Sequence, residues 1–400
     1  MKPQPLLVIF ITIFIDLLGF GIIIPILPIH AMELGAPSWV IGLVAASFSA
    51  MQFAFGPFWG NLSDRLGRRP ILMASMLLMG LSYILFAFSA KSLAILFLSR
   101  LLAGVAAANI SAAQAFISDI TPPEKRAKNF GIIGAAFGLG FIFGPPLGGF
   151  LKADYGLHAV GYVAAGISFL NLLMAVFWLP ETLKEPNKEA PLWVNPLQKL
   201  GDAAMRDGIG RFMLLTFVFV VAFSMMQVTA ALFWVEEFGL SEKHVGYMFL
   251  YIGVMAAVIQ GGLIGKFNLW FGEQKLLITG AVFMMFGLTL MPFAPKSHFY
   301  FWEFSCLGII SFGNAFLTPT ISSLLSRISG VKEQGLIMGA SASFGSLGRV
   351  FGPLLGGWLY GFSFKGPYLV AGLLMGFCTF LSVKIVQNLK VRVHNQSLNT

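Results

Sequence analysis

Long apolar runs, separated by short polar breaks, fill this chain from one end to the other. Each run is near the roughly 20 residues that cross a hydrocarbon core as helix. The runs read as Leu6–Ile29, Trp39–Gly60, Ile71–Ala90, Leu93–Ile120, Phe130–Leu151, Val160–Leu179, Phe212–Val235, Val245–Phe267, Leu276–Phe293, Tyr300–Ser326, Leu336–Tyr360 and Pro367–Leu389, twelve spans in all. The ten-residue alternation of a membrane barrel is absent, so the expected class is an all-α integral membrane protein. The first run is too long for a cleaved leader and lacks a small-residue cleavage site, so it is expected to remain as a helix.

The longest charged and proline-bearing interruption follows the sixth span. It divides the chain into a six-helix half over residues 1–179, a linker over 180–211, and a second six-helix half with a short tail over 212–400. An internal repeat supports that division. Gly140-Phe-Ile-Phe-Gly144-Pro145-Pro-Leu-Gly148-Gly149 in the fifth span returns as Gly348-Arg-Val-Phe-Gly352-Pro353-Leu-Leu-Gly356-Gly357 in the eleventh. A weaker echo pairs Gly60 to Gly67 with Gly265 to Gly272. Parallel six-span repeats of this kind are expected to hold a substrate site between them, near the midplane.

Composition agrees: 57% of residues are hydrophobic and 11% charged, against about a quarter charged in soluble domains. The net charge of +9 is distributed by side. With the N-terminus inside, nineteen Lys and Arg residues fall on the cytoplasmic side and five on the other, namely Lys91, Lys152, Lys243, Lys296 and Lys365. The positive-inside rule then puts both termini in the cytoplasm, and the basic balance reflects topology, not a nucleic-acid partner. Cys306 and Cys378 fall inside spans and read as small apolar residues. His30, His158, His244 and His298 read as solvated loop residues without metal-ligand spacing. No nucleophile and base, metal set or phosphate-cradling loop appears, so neither an enzyme nor a cofactor is expected.

The break after the second span concentrates charge: Gly60-Asn-Leu-Ser-Asp64-Arg65-Leu-Gly67-Arg68-Arg69. Arginines at one membrane edge fix orientation on any reading. Asp64 and Gly67 ask for more. Gly67 permits a tight turn, Asp64 is expected to accept from the N-terminal amides of a neighbouring helix, and the arginines, with Arg126 beyond span four, to pair with Asp119 or Glu124. Gly60, Asp64, Arg65, Gly67, Arg68, Arg69, Asp119 and Arg126 together read as a conformational latch. In the fifth and eleventh spans Gly140, Gly144 and Gly148, and likewise Gly348, Gly352 and Gly356, line one helical stripe that lets neighbours approach closely. Pro145 and Pro353 each remove one backbone hydrogen bond, which suits a hinge.

These stretches resemble the major facilitator superfamily. Gly60 to Arg69 is similar to its loop signature, Arg100-Leu-Leu-Ala-Gly104 to its second, and Gly140 to Gly149 to the one associated with its antiporters. Asp16-Leu-Leu-Gly19 through Pro25-Ile-Leu-Pro28 is similar to the drug–proton antiporter branch, especially the tetracycline exporters. Span three departs from those exporters, with Ser82-Tyr83 where they carry an acid. The resemblance implies secondary transport by alternating access, with antiport against protons.

Charge inside the membrane is where the chemistry is expected. Asp16, Arg100 and Arg349 qualify and are expected to share one layer, with Asp16 as the only buried acid able to couple protons. Around them Asn109 and Gln114 in span four, with Gln52, Gln227, Gln260 and Asn314, are single amides that either contact substrate or bond between helices. The leading reading is a monomeric proton-coupled antiporter in a bacterial inner membrane, exporting a small amphipathic molecule, anionic or zwitterionic because bases outnumber acids in that layer. The alternative is an importer or exporter of a defined anionic metabolite such as a carboxylate siderophore or organic acid.

Overall fold

A computed structural model describes residues 4–122, 126–187, 189, 191–193, 208–329 and 334–398, the side chains of 126–128, 130–132, 134, 135, 137, 334–336 and 390–398 excepted. Along the first half run α1 (Pro5–Ile23), α2 (Ile26–Glu33), α3 (Ser38–Leu66), α4 (Arg68–Ala87), α5 (Leu93–Ala107), α6 (Ile110–Ile120) and α7 (Arg126–Trp178). The second half holds α8 (Ile209–Phe238), α9 (Glu242–Val258), α10 (Ile264–Phe271), α11 (Glu273–Leu290), α12 (Phe299–Ile328), α13 (Gln334–Tyr360) and α14 (Gly366–Leu398).

Ten stretches are long and apolar enough to cross a membrane. One of them, Gly138–Trp178, turns at Gly156, whose φ of 79° is open to glycine, and so supplies two crossings. The 27-residue α13 makes the twelfth. The described residues cluster as two compact units, Met1–Pro196 with Ala230–Gly253, and Leu197–Thr229 with Val254–Thr400.

Lipid supplies no hydrophobic force between helices, so close packing must hold each unit together. The glycine stripes provide it. A Cβ on Gly140 would stand 2.8 Å from Leu17 C, and one on Gly144 2.6 Å from Gly21 C. Gly148 lies as tightly on the Ile22 carbonyl, so α7 rides backbone to backbone along α1. The second unit repeats the arrangement with α13 on α8. There a Cβ on Gly348 would meet Phe217 O at 3.0 Å, one on Gly352 Val221 O at 2.7 Å, and one on Gly356 Met225 Cα at 3.2 Å. The weaker echo is equally physical, because the turns from α3 to α4 and from α10 to α11 are each made at one glycine of positive φ, Gly67 at 106° and Gly272 at 75°.

Candidate functional site

Asp16 lies on α1 among uncharged partners. Asn109 Nδ2 donates to its Oδ2 at 3.3 Å and to Ser75 Oγ at 2.6 Å. Asn171 of α7 lies alongside, its amide donating to the Thr12 carbonyl one turn earlier. Asp16 Oδ1 is buried with no donor on it among the described residues.

Arg100 does not join this group as expected. It stands nine positions before Asn109 on the same span, 2% exposed, with its guanidinium 5.3 Å from the Phe86 ring centroid and Nε 3.4 Å from Ser99 Oγ. Among the described residues it makes no ion pair with Asp16. Tyr83 stands within electrostatic range of both, its hydroxyl pressed against Gly19, where a side chain would collide with it. A residue of span three, where the exporters carry an acid, is therefore within electrostatic range of both charges. Arg349 belongs to the second unit and donates from Nη2 to Ser346 Oγ at 3.0 Å.

The amides divide by what they do. Gln52 donates to the Ala107 carbonyl at 3.1 Å, an interhelical bond. Gln114 is exposed on α6, Gln227 half-buried on α8, and Asn314 accepts from Thr318 at 3.2 Å. Gln260 sits in a π-helical turn, Ile259–Leu263, between α9 and α10. Such single wide turns recur at functional sites.

At the basic loop Arg68 is the centre. Its side chain is buried and donates from Nε to Asp119 Oδ2 at 3.1 Å, and from Nη1 to Asp64 Oδ1 and to Ser63 Oγ at 2.7 Å. Asp64 therefore accepts from Arg68 and not from helix amides. Those amides belong to Glu181, which accepts from the backbone nitrogens of Arg68 at 2.9 Å and Arg69 at 3.1 Å, and also from Thr182 and Leu183. Burial opposes ionisation of Glu181, but these four N–H groups outweigh it and hold its carboxyl below the ordinary glutamate range. Sequence reasoning missed Glu181 because only the folded linker returns it to α4. Arg69 donates to the Val176 carbonyl, Arg65 stands in the last turn of α3, and Gly60 faces Ser111. Glu124 and the Arg126 side chain lie outside the described residues.

Two sequence expectations are corrected by burial. Glu303 on α12 is fully buried, whereas Asp16 as a whole is half-buried, so Asp16 is not the sole acid inside a span. It escaped notice because it lies near the end of its span. It comes within electrostatic range of Tyr368 and Cys306. His30 is no solvated loop histidine: it is 3% exposed, with Nε2 3.2 Å from the Ser89 carbonyl and Nδ1 3.3 Å from Glu33 Oε2. Glu33 Oε1 also accepts from Lys152, so the end opposite the basic loop carries its own charge cluster.

Comparison with known proteins completes the description. The family model of the Major Facilitator Superfamily matches residues 9–302 and 212–397. The chain is 31% identical over 372 residues to Multidrug resistance protein 2 of Bacillus subtilis (strain 168), covering 91% of this chain and 90% of that protein. Over 357 residues it is also 31% identical to the class C tetracycline resistance protein of Escherichia coli, covering 88% of each. Its fold superposes on the human organic anion transporter MFSD10 (TETRAN) with a TM-score of 0.72 at 25% identity, covering 95% of this chain and 100% of that one.

Proposed function

This chain belongs to the Major Facilitator Superfamily and is a multi-pass membrane transporter, not an enzyme; we propose that it is a proton-coupled antiporter that exports a small amphipathic molecule by alternating access. The observation that carries the reading is the setting of Asp16. A carboxylate among amides and a hydroxyl, with no cation on it, can take up and release a proton without breaking an ion pair. The nineteen-to-five division of Lys and Arg supports cytoplasmic termini in a bacterial inner membrane. The Asp64, Arg68 and Asp119 group acts in this reading as a latch on the cytoplasmic side, and the glycine stripes with Pro145 and Pro353 as the surfaces on which helices rock.

An anionic or zwitterionic substrate fits Arg100 and Arg349, two guanidinium groups inside spans with no carboxylate partner among the described residues. The likeness to an organic anion transporter favours the same charge and keeps a second reading open, transport of a defined anionic metabolite. Inverted vesicles with and without an imposed pH gradient separate the two. In proteoliposomes Asp16→Asn is expected to abolish gradient-driven transport and to keep substrate exchange. Normal gradient-driven transport by that variant would remove Asp16 from the mechanism. A competition panel of matched anionic, neutral and cationic compounds, in the parent and in Arg349→Ala, tests the charge assignment. Preference of the parent for lipophilic cations would overturn it.

A further inference from the structure

The fourth crossing is two helices, and the gap between them contains neither proline nor glycine. α5 stops at Ala107; Ala108 and Asn109 form a turn through Ala108 N to Val105 O at 3.3 Å and Asn109 N to Ala106 O at 3.4 Å; and α6 starts at Ile110. A break within a span leaves carbonyls without their usual donors, and lipid cannot supply any. One stripe of α3 supplies them. Trp59 Nε1 donates to Val105 O at 2.7 Å and Gln52 Nε2 to Ala107 O at 3.1 Å, while Ser111 Oγ, in the first turn of α6, donates to Gly56 O at 3.1 Å. Gly104 is packed against the Phe48 backbone, which fixes α5 to the same helix.

α6 has a partner of consequence at each end. Asn109, in the break, holds Asp16, and Asp119, about 15 Å further along the helix, holds Arg68 and accepts from Thr182 Oγ1 at 3.0 Å. α6 is a rigid rod of eleven residues between them. We infer that α6 is a lever carrying the protonation state of Asp16 to the Arg68 cluster, and that Trp59 is the positioning residue holding its fulcrum. This rests on the reading of Asp16 as the proton carrier.

The steps follow from the bonds. While Asp16 is ionised, its negative oxygen draws the Asn109 amide and ties the start of α6 to α1. A proton on Asp16 removes that charge, and Asn109 keeps only Ser75. The start of α6 is then held by α3 and α4 alone, so the rod turns about the Trp59–Val105 contact and draws Asp119 away from Arg68. Few other charges can interfere. Among the described residues Tyr83 of α4 is the titratable group within electrostatic range of Asp16, and Arg100 of α5 is within range of Tyr83; α6 and α7 present Asn109 and Asn171 to Asp16.

The test uses the full chain in proteoliposomes with Cys306→Ser, Cys378→Ser and a single cysteine, Ile120→Cys, at the end of α6. Maleimide labelling of that cysteine is followed across pH. The parent is expected to label faster as pH falls, with one midpoint. Asp16→Asn is expected to label fast at every pH. Trp59→Phe keeps an aromatic ring, though a smaller one, and loses the donor, so it is expected to move the midpoint upwards by about half a pH unit, about threefold in the ratio of the two states. Ser111→Ala, which frees the other side of the break, is expected to move it the same way and serves if Trp59→Phe folds poorly. Unchanged pH dependence in Asp16→Asn defeats the proton-carrier reading itself. Flat labelling in Asp16→Asn together with parental midpoints in both Trp59→Phe and Ser111→Ala defeats the lever alone.

Discussion

Arg68 and Glu273 hold equivalent places in the two repeats with opposite charge. Each follows a glycine of positive φ, Gly67 or Gly272, and opens the helix there. Each also ties that helix to the final turn of the next crossing, Arg68 Nε to Asp119 Oδ2 at 3.1 Å and Arg327 Nη2 to Glu273 Oε1 at 3.0 Å. A helix N-terminus favours an acid, which Glu273 supplies to α11 directly. α4 has a base in that position and no acid in its first turn. Glu181 makes up the difference from the linker.

Glu181→Gln is therefore expected to lower thermal stability near neutral pH by about 0.5–1 kcal/mol, and by less as salt rises, because the group is exposed. The pH dependence follows from its lowered carboxyl pKa. A group ionising more easily in the folded state contributes fully above the ordinary glutamate range and loses that contribution as pH falls through the lowered value. Parent and variant should thus differ at neutral pH and converge in acid. Melting curves of both proteins across pH check this, and a gap that widens in acid would contradict the capping role.

The second pair allows a charge-swap test. Arg327 is largely exposed, so the ion pair itself contributes about 0.5–1 kcal/mol. Glu273→Arg loses that pair, the Ser323 hydrogen bond and the favourable dipole interaction at once. Adding Arg327→Glu should restore only the pair. The double variant is expected to melt above Glu273→Arg and below the parent; full additivity of the single effects would mean that the two side chains are not coupled.

Gly144→Ala and Gly138→Ala separate packing from helix propensity within α7. The new Cβ at 144 would stand 2.6 Å from the backbone of Gly21, which cannot give way as a side chain can, whereas nothing lies within 4 Å of a Cβ at 138. The first substitution is expected to destabilise by about 1–3 kcal/mol through overpacking. The second should be neutral, or stabilising by up to about 1 kcal/mol. Equal melting points for the two variants would show that the stripe is not a packing surface.

What could be read in the sequence were the features that periodicity carries. The glycine stripes were legible because backbone contact demands an absent side chain at regular helical spacing, and the Arg68–Asp119 pair because both residues end spans on the same side. The break at Ala108-Asn109 was not, since neither residue forbids helix; Trp59 and Gln52 hold it open from another segment. The same reason hides Glu181, two of whose four amide partners lie over a hundred residues earlier. Glu303 and His30 were misjudged because distance from the end of a run says little about burial when neighbouring helices extend past it.

Lys152 and Lys243 lie close in the fold and are expected to matter very differently. The Lys152 side chain is 7% exposed and bridges Glu33 at 2.7 Å and Glu242 at 3.4 Å, joining the end of α2 to the start of α9. Lys243 pairs with Asp154 with both side chains about a third exposed. In Lys152→Met the methylene stem is kept, so packing is preserved, but two carboxylates lose their common cation in a partly dry setting. Breaking such a bridge from one side costs about 3–5 kcal/mol when burial is complete, and somewhat less where Glu33 still reaches water. Lys243→Met removes an exposed pair worth at most about 1 kcal/mol. High salt should weaken the contribution of Lys243 and leave most of that of Lys152, because screening acts on charges that solvent reaches. Melting points of the two variants at low and high salt decide the matter. Similar small losses for both, each fading with salt, would mean that the Lys152 bridge is an ordinary surface contact and does not tie α2 to α9.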